Sequence, residues 1–190
     1  MISRIANITF GMAFIAMLIV SAQAVANPAG VIPYACVNGQ TLILLAYDPA
    51  PGRSGYAAFG GTQEAAESIA ETAAREFQEE TRCAFDHPDS TDLEFLSHSN
   101  NEGYYTYVAE VEYKPALQIE QHSCDARLER AGWQWFELEK LLEALRSDFA
   151  RPKLFAMGDA LQVTLWNRAA DSMRQAMNDN LLVANGLCQN

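Results

Sequence analysis

Three glutamates, Glu76, Glu79 and Glu80, crowd into a short stretch whose nearest cation is Arg75. At about 100° per residue, a helix sets their carboxylates within an arc of roughly 100°, so all three share one face. Like charges three and four residues apart repel by about a few tenths of a kcal/mol each. A solvated helix face would intersperse lysines there, and this one does not. The unbalanced cluster points to a divalent cation, because hard cations such as Mg²⁺ or Mn²⁺ take oxygen ligands. One or two carboxylates plus substrate phosphates are a usual Mg²⁺ set. The competing reading is a plain acidic surface, common in a chain of formal net charge −11.

The residues before the cluster are those of a helix start. Ser68 followed by Glu71 fits a capping box, in which each side chain satisfies a backbone N–H at the helix N-terminus. From Ile69 to Thr81 the residues are good helix formers without Pro or Gly. Ile69, Ala70, Ala73, Ala74 and Phe77 make an adjoining apolar arc suited to packing on a sheet. A glycine pair, Gly60-Gly61, precedes the helix, and Tyr56 to Phe59 reads as the strand leading into it.

The full spacing runs Gly61, five residues, Glu67, seven residues, then Arg75-Glu76-Phe77-Gln78-Glu79-Glu80 and Cys83. It resembles the Nudix box, and only the last glycine of that pattern fails, being Arg82. So many matched positions in one stretch are far more specific than a lone glycine motif. The resemblance implies an α/β/α sandwich with a mixed β-sheet and flanking helices, and a pyrophosphohydrolase activity. By the same resemblance Glu76, Glu79 and Glu80 are metal ligands for Mg²⁺ or Mn²⁺, with the Gly60 or Gly61 carbonyl as a further oxygen. Arg75 is read as holding a box carboxylate by a charge-assisted hydrogen bond, with Glu67 its expected partner. Candidates for the acid that activates water are Glu76 itself, Glu120 and Glu129. Trp133 to Leu141 resembles the late strand and helix start of the family, which extends the likeness over about residues 31–146.

Arg82 stands where a left-handed glycine cap is usual, and a non-Gly residue there costs on the order of 1 kcal/mol. The chain either accepts that or leaves the helix by another turn. No ligand is lost either way.

These groups need a scaffold. Val31 to Val37 and Thr41 to Tyr47 are apolar runs joined by Asn38-Gly39, a strong hairpin signal. The stretch 85–92 reads as a loop, Leu93 to Ser97 as a strand, and Tyr104 to Tyr113 as a longer strand. Lys114 to Gly132 is a polar connection, Trp133 to Phe136 a strand and Leu138 to Arg146 a helix. Lys153 to about Ala184 reads as mostly helical, with Leu154, Met157, Leu161, Leu165 and Trp166 at helical spacing.

The chain opens with Arg4, an apolar run from Phe10 to Val20, then Ser21-Ala22-Gln23-Ala24. This is the plan of a secretory signal peptide over residues 1–24, leaving one domain over 25–190. The apolar run is well short of the roughly 20 residues of a membrane span. A periplasmic or secreted protein is expected, with no stable membrane insertion after cleavage. Its negative charge disfavours nucleic acid as a partner and leaves a small nucleotide or pyrophosphate shielded by metal ions. In an exported chain, Cys36, Cys83, Cys124 and Cys188 allow disulfides in three pairings. A nucleophilic cysteine near His122 is the other reading of these thiols. His87, His98 and His122 lack ligand spacing. Tyr104, Tyr105 and Tyr107 can stack on a base or pack across strands. An exported binding or sensor module with the same fold and no turnover is the alternative to an enzyme.

Overall fold

The computed structural model describes residues 26–124, 129–158, 162–184 and 186–188. The expected signal segment, residues 1–24, lies outside the described residues. Strands β1 (Ala29–Val37) and β2 (Gln40–Asp48) form the expected hairpin, with Asn38 and Gly39 both at positive φ, as a type I′ turn needs. Next come two short strands, β3 (Gly55–Ala57) and β4 (Phe59–Gly61), and helix α1 (Ile69–Glu80). Helix α2 (Ser90–Glu94) and strands β5 (His98–Asn101) and β6 (Tyr104–Glu110) follow. Helix α3 (Ala116–Gln121), strand β7 (Ala131–Glu137) and helix α4 (Leu138–Leu145) come after them. A small hairpin of β8 (Lys153–Phe155) and β9 (Gln162–Thr164) precedes helix α5 (Asn167–Asn178).

The main sheet is mixed. β1 pairs antiparallel with β2 and β4 but parallel with β6, and β2 carries β3 and β7. Val31, Leu44, Phe59 and Phe77 belong to one buried cluster, between the sheet and α1. Ile32, Ile43, Leu45, Leu141 and Met173 belong to a second, under α4 and α5. The sheet is thus covered on both faces, an α/β/α sandwich. That is why β1 and β2 read as nearly unbroken apolar runs instead of alternating ones.

Several expected elements differ. Residues 90–94 are helical, where a loop and the start of a strand were expected, because Asp89 and Asp92 cap each other's backbone reciprocally. Strand β5 begins only at His98. The polar connection holds the short helix α3. Lys153 to Ala184 is a hairpin before it is a helix. Leu154 and Val163 face each other across that hairpin, Gly158 turns with φ +74°, and Leu165 bridges to Tyr56. The apparent helical spacing through Leu154, Met157 and Leu165 was therefore coincidental; Leu161 lies outside the described residues. The strand expected at 56–59 is two strands, because the chain crosses from β2 to β1 at Ala58.

The end of α1 answers the question posed by Arg82. Cys83 N–H donates to the Gln78 carbonyl at 2.8 Å and Arg82 N–H to that of Glu79 at 3.2 Å, the two bonds of a Schellman cap. Arg82 occupies the glycine position with φ +60°, and Cys83 follows at +54°. Three contacts hold the strained turn. Arg82 Nη1 donates to the Glu120 carbonyl at 2.6 Å, its guanidinium lies 5.9 Å from the Trp133 ring centre, and Cys83 is bonded to Cys124. The second disulfide joins Cys36 on β1 to Cys188 near the C-terminus. With all four cysteines paired, the nucleophilic-cysteine reading is ruled out.

Candidate functional site

Helix α1 begins as its sequence requires: Ser68 Oγ accepts the Glu71 N–H, and Glu71 returns the bond to the Ser68 N–H. Its apolar arc then seats against β1 and β4, and this orients the acids. They do not share one solvent face. Glu76 and Glu80 turn inward with Phe77, and only Glu79 is substantially exposed.

Arg75 organises the solvent side of the helix. Its guanidinium grips Glu67 with two bonds, Nε to Oε1 at 2.7 Å and Nη2 to Oε2 at 3.1 Å. Nη1 lies 2.9 Å from Glu76 Oε1 and 3.3 Å from Glu79 Oε2, and Nη2 also donates to the Thr62 carbonyl. Glu76 and Glu79 are thus held beside each other by one cation, and among the described residues the second oxygen of each accepts no hydrogen bond. The bond from Arg75 brings the Glu67 carboxyl down to about 2. Burial pushes the Glu76 carboxyl up, opposed in part by Arg75.

The sign of the Glu67 shift makes an acid test. A folded-state pKa of about 2, against 4.5 for the free group, stabilises the fold above pH 4.5 and is lost as pH falls toward 2. Replacing Glu67 by glutamine should cost about 1–2 kcal/mol at pH 7, allowing for the solvent that reaches the pair. Urea unfolding should find the gap between wild type and variant closing between pH 4.5 and 2. A gap that stays constant over that range would show that the ion pair contributes nothing.

Glu80 sits deeper. Arg130 reaches it with Nε at 2.7 Å from Oε1 and Nη2 at 3.2 Å from Oε2, and the Gly60 N–H donates to Oε2 at 2.8 Å. Nη1 of Arg130 stands 3.1 Å from Asp48, itself a buried carboxylate. Burial raises the Glu80 carboxyl to about 7 against the pull of Arg130 and the Gly60 N–H. Three of its roughly four lone-pair sites are already used.

The glycine pair explains the close packing. A Cβ on Gly61 would overlap the Glu76 carboxylate, and one on Gly60 would meet the Tyr104 hydroxyl. Strand β4 therefore lies flush between the acids and a cleft of about 990 Å³. Gly60, Gly61, Tyr104 and Arg130 border that cleft; the three box acids stand behind the strand. The donor set of Glu76, Glu79 and Glu80 with the Gly61 carbonyl is all oxygen, which suits a hard divalent cation. Those carboxylates are not, however, a compact triad. Among the described residues, the set of three acid or histidine groups within 4.8 Å of one another is His87, Asp89 and Asp92, which is the exposed cap of α2.

The other candidates scatter. Glu129 is exposed, and its charge adds to the upward push on Glu76. Glu120 is exposed, and among the described residues it meets the site region through its backbone oxygen, on Arg82. Tyr105 and Tyr107 pack on the His98 ring, so of the three tyrosines only Tyr104 borders the cleft. Sequence reasoning missed Arg130 and Asp48. No spacing links residue 130 to residue 80, and the only hint was that a buried glutamate needs a counterion.

A family model described as NUDIX domain matches residues 27–157. Among solved structures, the Ap4A hydrolase of C. elegans is 19% identical, with a TM-score of 0.41 over 63% of this chain and 85% of that one. The Nudix hydrolase RenU of M. smegmatis is 14% identical, with a TM-score of 0.47 over 83% and 88%. The NUDIX domain of Shewanella oneidensis NrtR, complexed with ADP ribose, is 14% identical, with a TM-score of 0.47 over 80% and 86%. No curated protein matches the sequence.

Proposed function

The chain belongs to the Nudix family of pyrophosphohydrolases, and from that membership we propose that it cleaves a phosphoanhydride bond with the help of a divalent cation. The substrate is a nucleoside diphosphate linked to another moiety, or a related pyrophosphate. The observation that carries this reading is the placement of Glu76 and Glu80 against the Gly60-Gly61 strand at the border of the cleft.

Glu76 and Glu79, each with an oxygen that accepts no hydrogen bond among the described residues, would hold the cation with the Gly61 carbonyl, and Glu80 would add its one remaining lone pair. When bound there, Mg²⁺ or Mn²⁺ supplies charge stabilisation for the phosphoryl oxygens and lowers the pKa of water. Arg75 holds Glu76 and Glu79 side by side, and Glu67 keeps Arg75 in place. Arg130 anchors Glu80 to the sheet. The acids offered for taking the proton from the attacking water are Glu76 itself and the exposed Glu129, whose charge bears on Glu76. The two disulfides and the apolar N-terminal run fit an exported protein acting in an oxidising compartment.

Incubating the purified chain with nucleotide sugars, dinucleotides, dinucleoside polyphosphates and nucleoside triphosphates tests this reading. With Mg²⁺ or Mn²⁺, hydrolysis at a phosphoanhydride is expected, along with a metal-dependent rise in melting temperature. Neither hydrolysis nor a melting shift with either metal would overturn it. A shift without turnover would point to the binding or sensor module.

A further inference from the structure

Helix α5 lies beyond the residues that the family model matches, yet it walls the cleft. We propose that its N-terminus and Arg168 form a phosphate subsite. It takes a second phosphate of the substrate, separate from the pyrophosphate that is cut. The substrate half of this statement rests on the hydrolase reading; the anion site does not.

Four observations carry it. First, α5 is twelve residues long, has no side-chain cap, and has no acid in its first turn. The Trp166 N–H is taken by the Tyr56 carbonyl at 3.0 Å, so the N–H groups of Asn167, Arg168 and Ala169 have no partner among the described residues. All three residues line the cleft, and such N–H groups with the helix dipole favour an anion. Second, Arg168 is exposed, and no carboxylate pairs with it among the described residues, although the chain is strongly acidic. The nearby Asp171 is occupied by Arg174 at 2.9 Å.

Third, the other cleft arginines are committed. Arg53 faces Asp48 at 3.3 Å, and Arg130 is shared between Asp48 and Glu80. Arg168 is the cleft arginine left to meet a ligand. Fourth, Thr106 lines the same cleft with 3% of its surface exposed, and its Oγ1 has no hydrogen-bond partner among the described residues. Alternation along β6 sends Tyr105 and Tyr107 toward α1, and so points Thr106 toward α5. A buried hydroxyl without a partner is costly, and a ligand oxygen relieves that cost.

The test has two arms on the full chain. In EDTA, calorimetric titration with inorganic pyrophosphate should show binding that Arg168→Ala weakens about tenfold and Arg168→Lys weakens less. Absent binding, or binding indifferent to Arg168→Ala, would overturn the subsite. With Mg²⁺, NADPH and NADH differ by one phosphate monoester while sharing a cleavable pyrophosphate. KM should be lower for NADPH in the wild type, and Arg168→Ala should erase the difference with kcat for NADH little changed. An unchanged KM ratio overturns the substrate assignment. If neither dinucleotide nor any other pyrophosphate is cleaved while the EDTA arm succeeds, the hydrolase reading falls and the phosphate subsite stands.

Discussion

Replacing Arg130 by methionine should destabilise the protein by about 3–5 kcal/mol at pH 7, the range seen when one partner of a buried ion pair is removed. The guanidinium is the shared counterion of two carboxylates, Glu80 and Asp48, that are 4% and 1% exposed. Asp48 keeps the Ala50 N–H and Arg53 after the change, and among the described residues Glu80 keeps only the Gly60 N–H. Most of the loss should therefore come from Glu80. Burial already raises that carboxyl, and losing the guanidinium raises it further. A raised acid binds protons in the folded state, so the variant should regain stability as pH falls from 7 toward 4.5. Urea unfolding at pH 7 and pH 5 checks both parts. A loss under about 1 kcal/mol with no pH dependence would remove Arg130 from its role as the Glu80 counterion.

The second large effect is on turnover. Glu76→Gln should lower kcat by about 10²–10³-fold on any pyrophosphate the chain cleaves, the scale of losing one preorganised electrostatic contact. The fold should survive, because glutamine keeps the volume beside Gly61 and removes a charge that burial already disfavours. Steady-state kinetics with a melting curve separates the two. A kcat within threefold of wild type would move the catalytic centre away from α1. Arg130→Met, by contrast, should show its loss first in the melting curve.

Much of the site's local frame was readable from residue order. The capping box at Ser68 and Glu71, the helix that follows it, and the Asn38-Gly39 hairpin all depend on contacts within a few residues, so their chemistry is written locally. The Schellman turn at Arg82 was half-readable. Its position followed from the motif, but its cost is met by Glu120, Trp133 and Cys124, which lie far along the chain. The hairpin at 153–164 was misread because a few apolar residues at helical spacing also fit a strand pair that packs on a helix. Only long-range pairing separates the two readings.

By itself the sequence determined the family, the mixed α/β class and the helix that carries the acids, because periodicity and short-range spacing encode them. Tertiary structure alone decided which acid is exposed and which is buried, that Arg130 and Asp48 complete the Glu80 network, how the four cysteines pair, and that α5 walls the cleft. A carboxylate's protonation and reach depend on what surrounds it in space, and its neighbours along the chain supply only part of those surroundings.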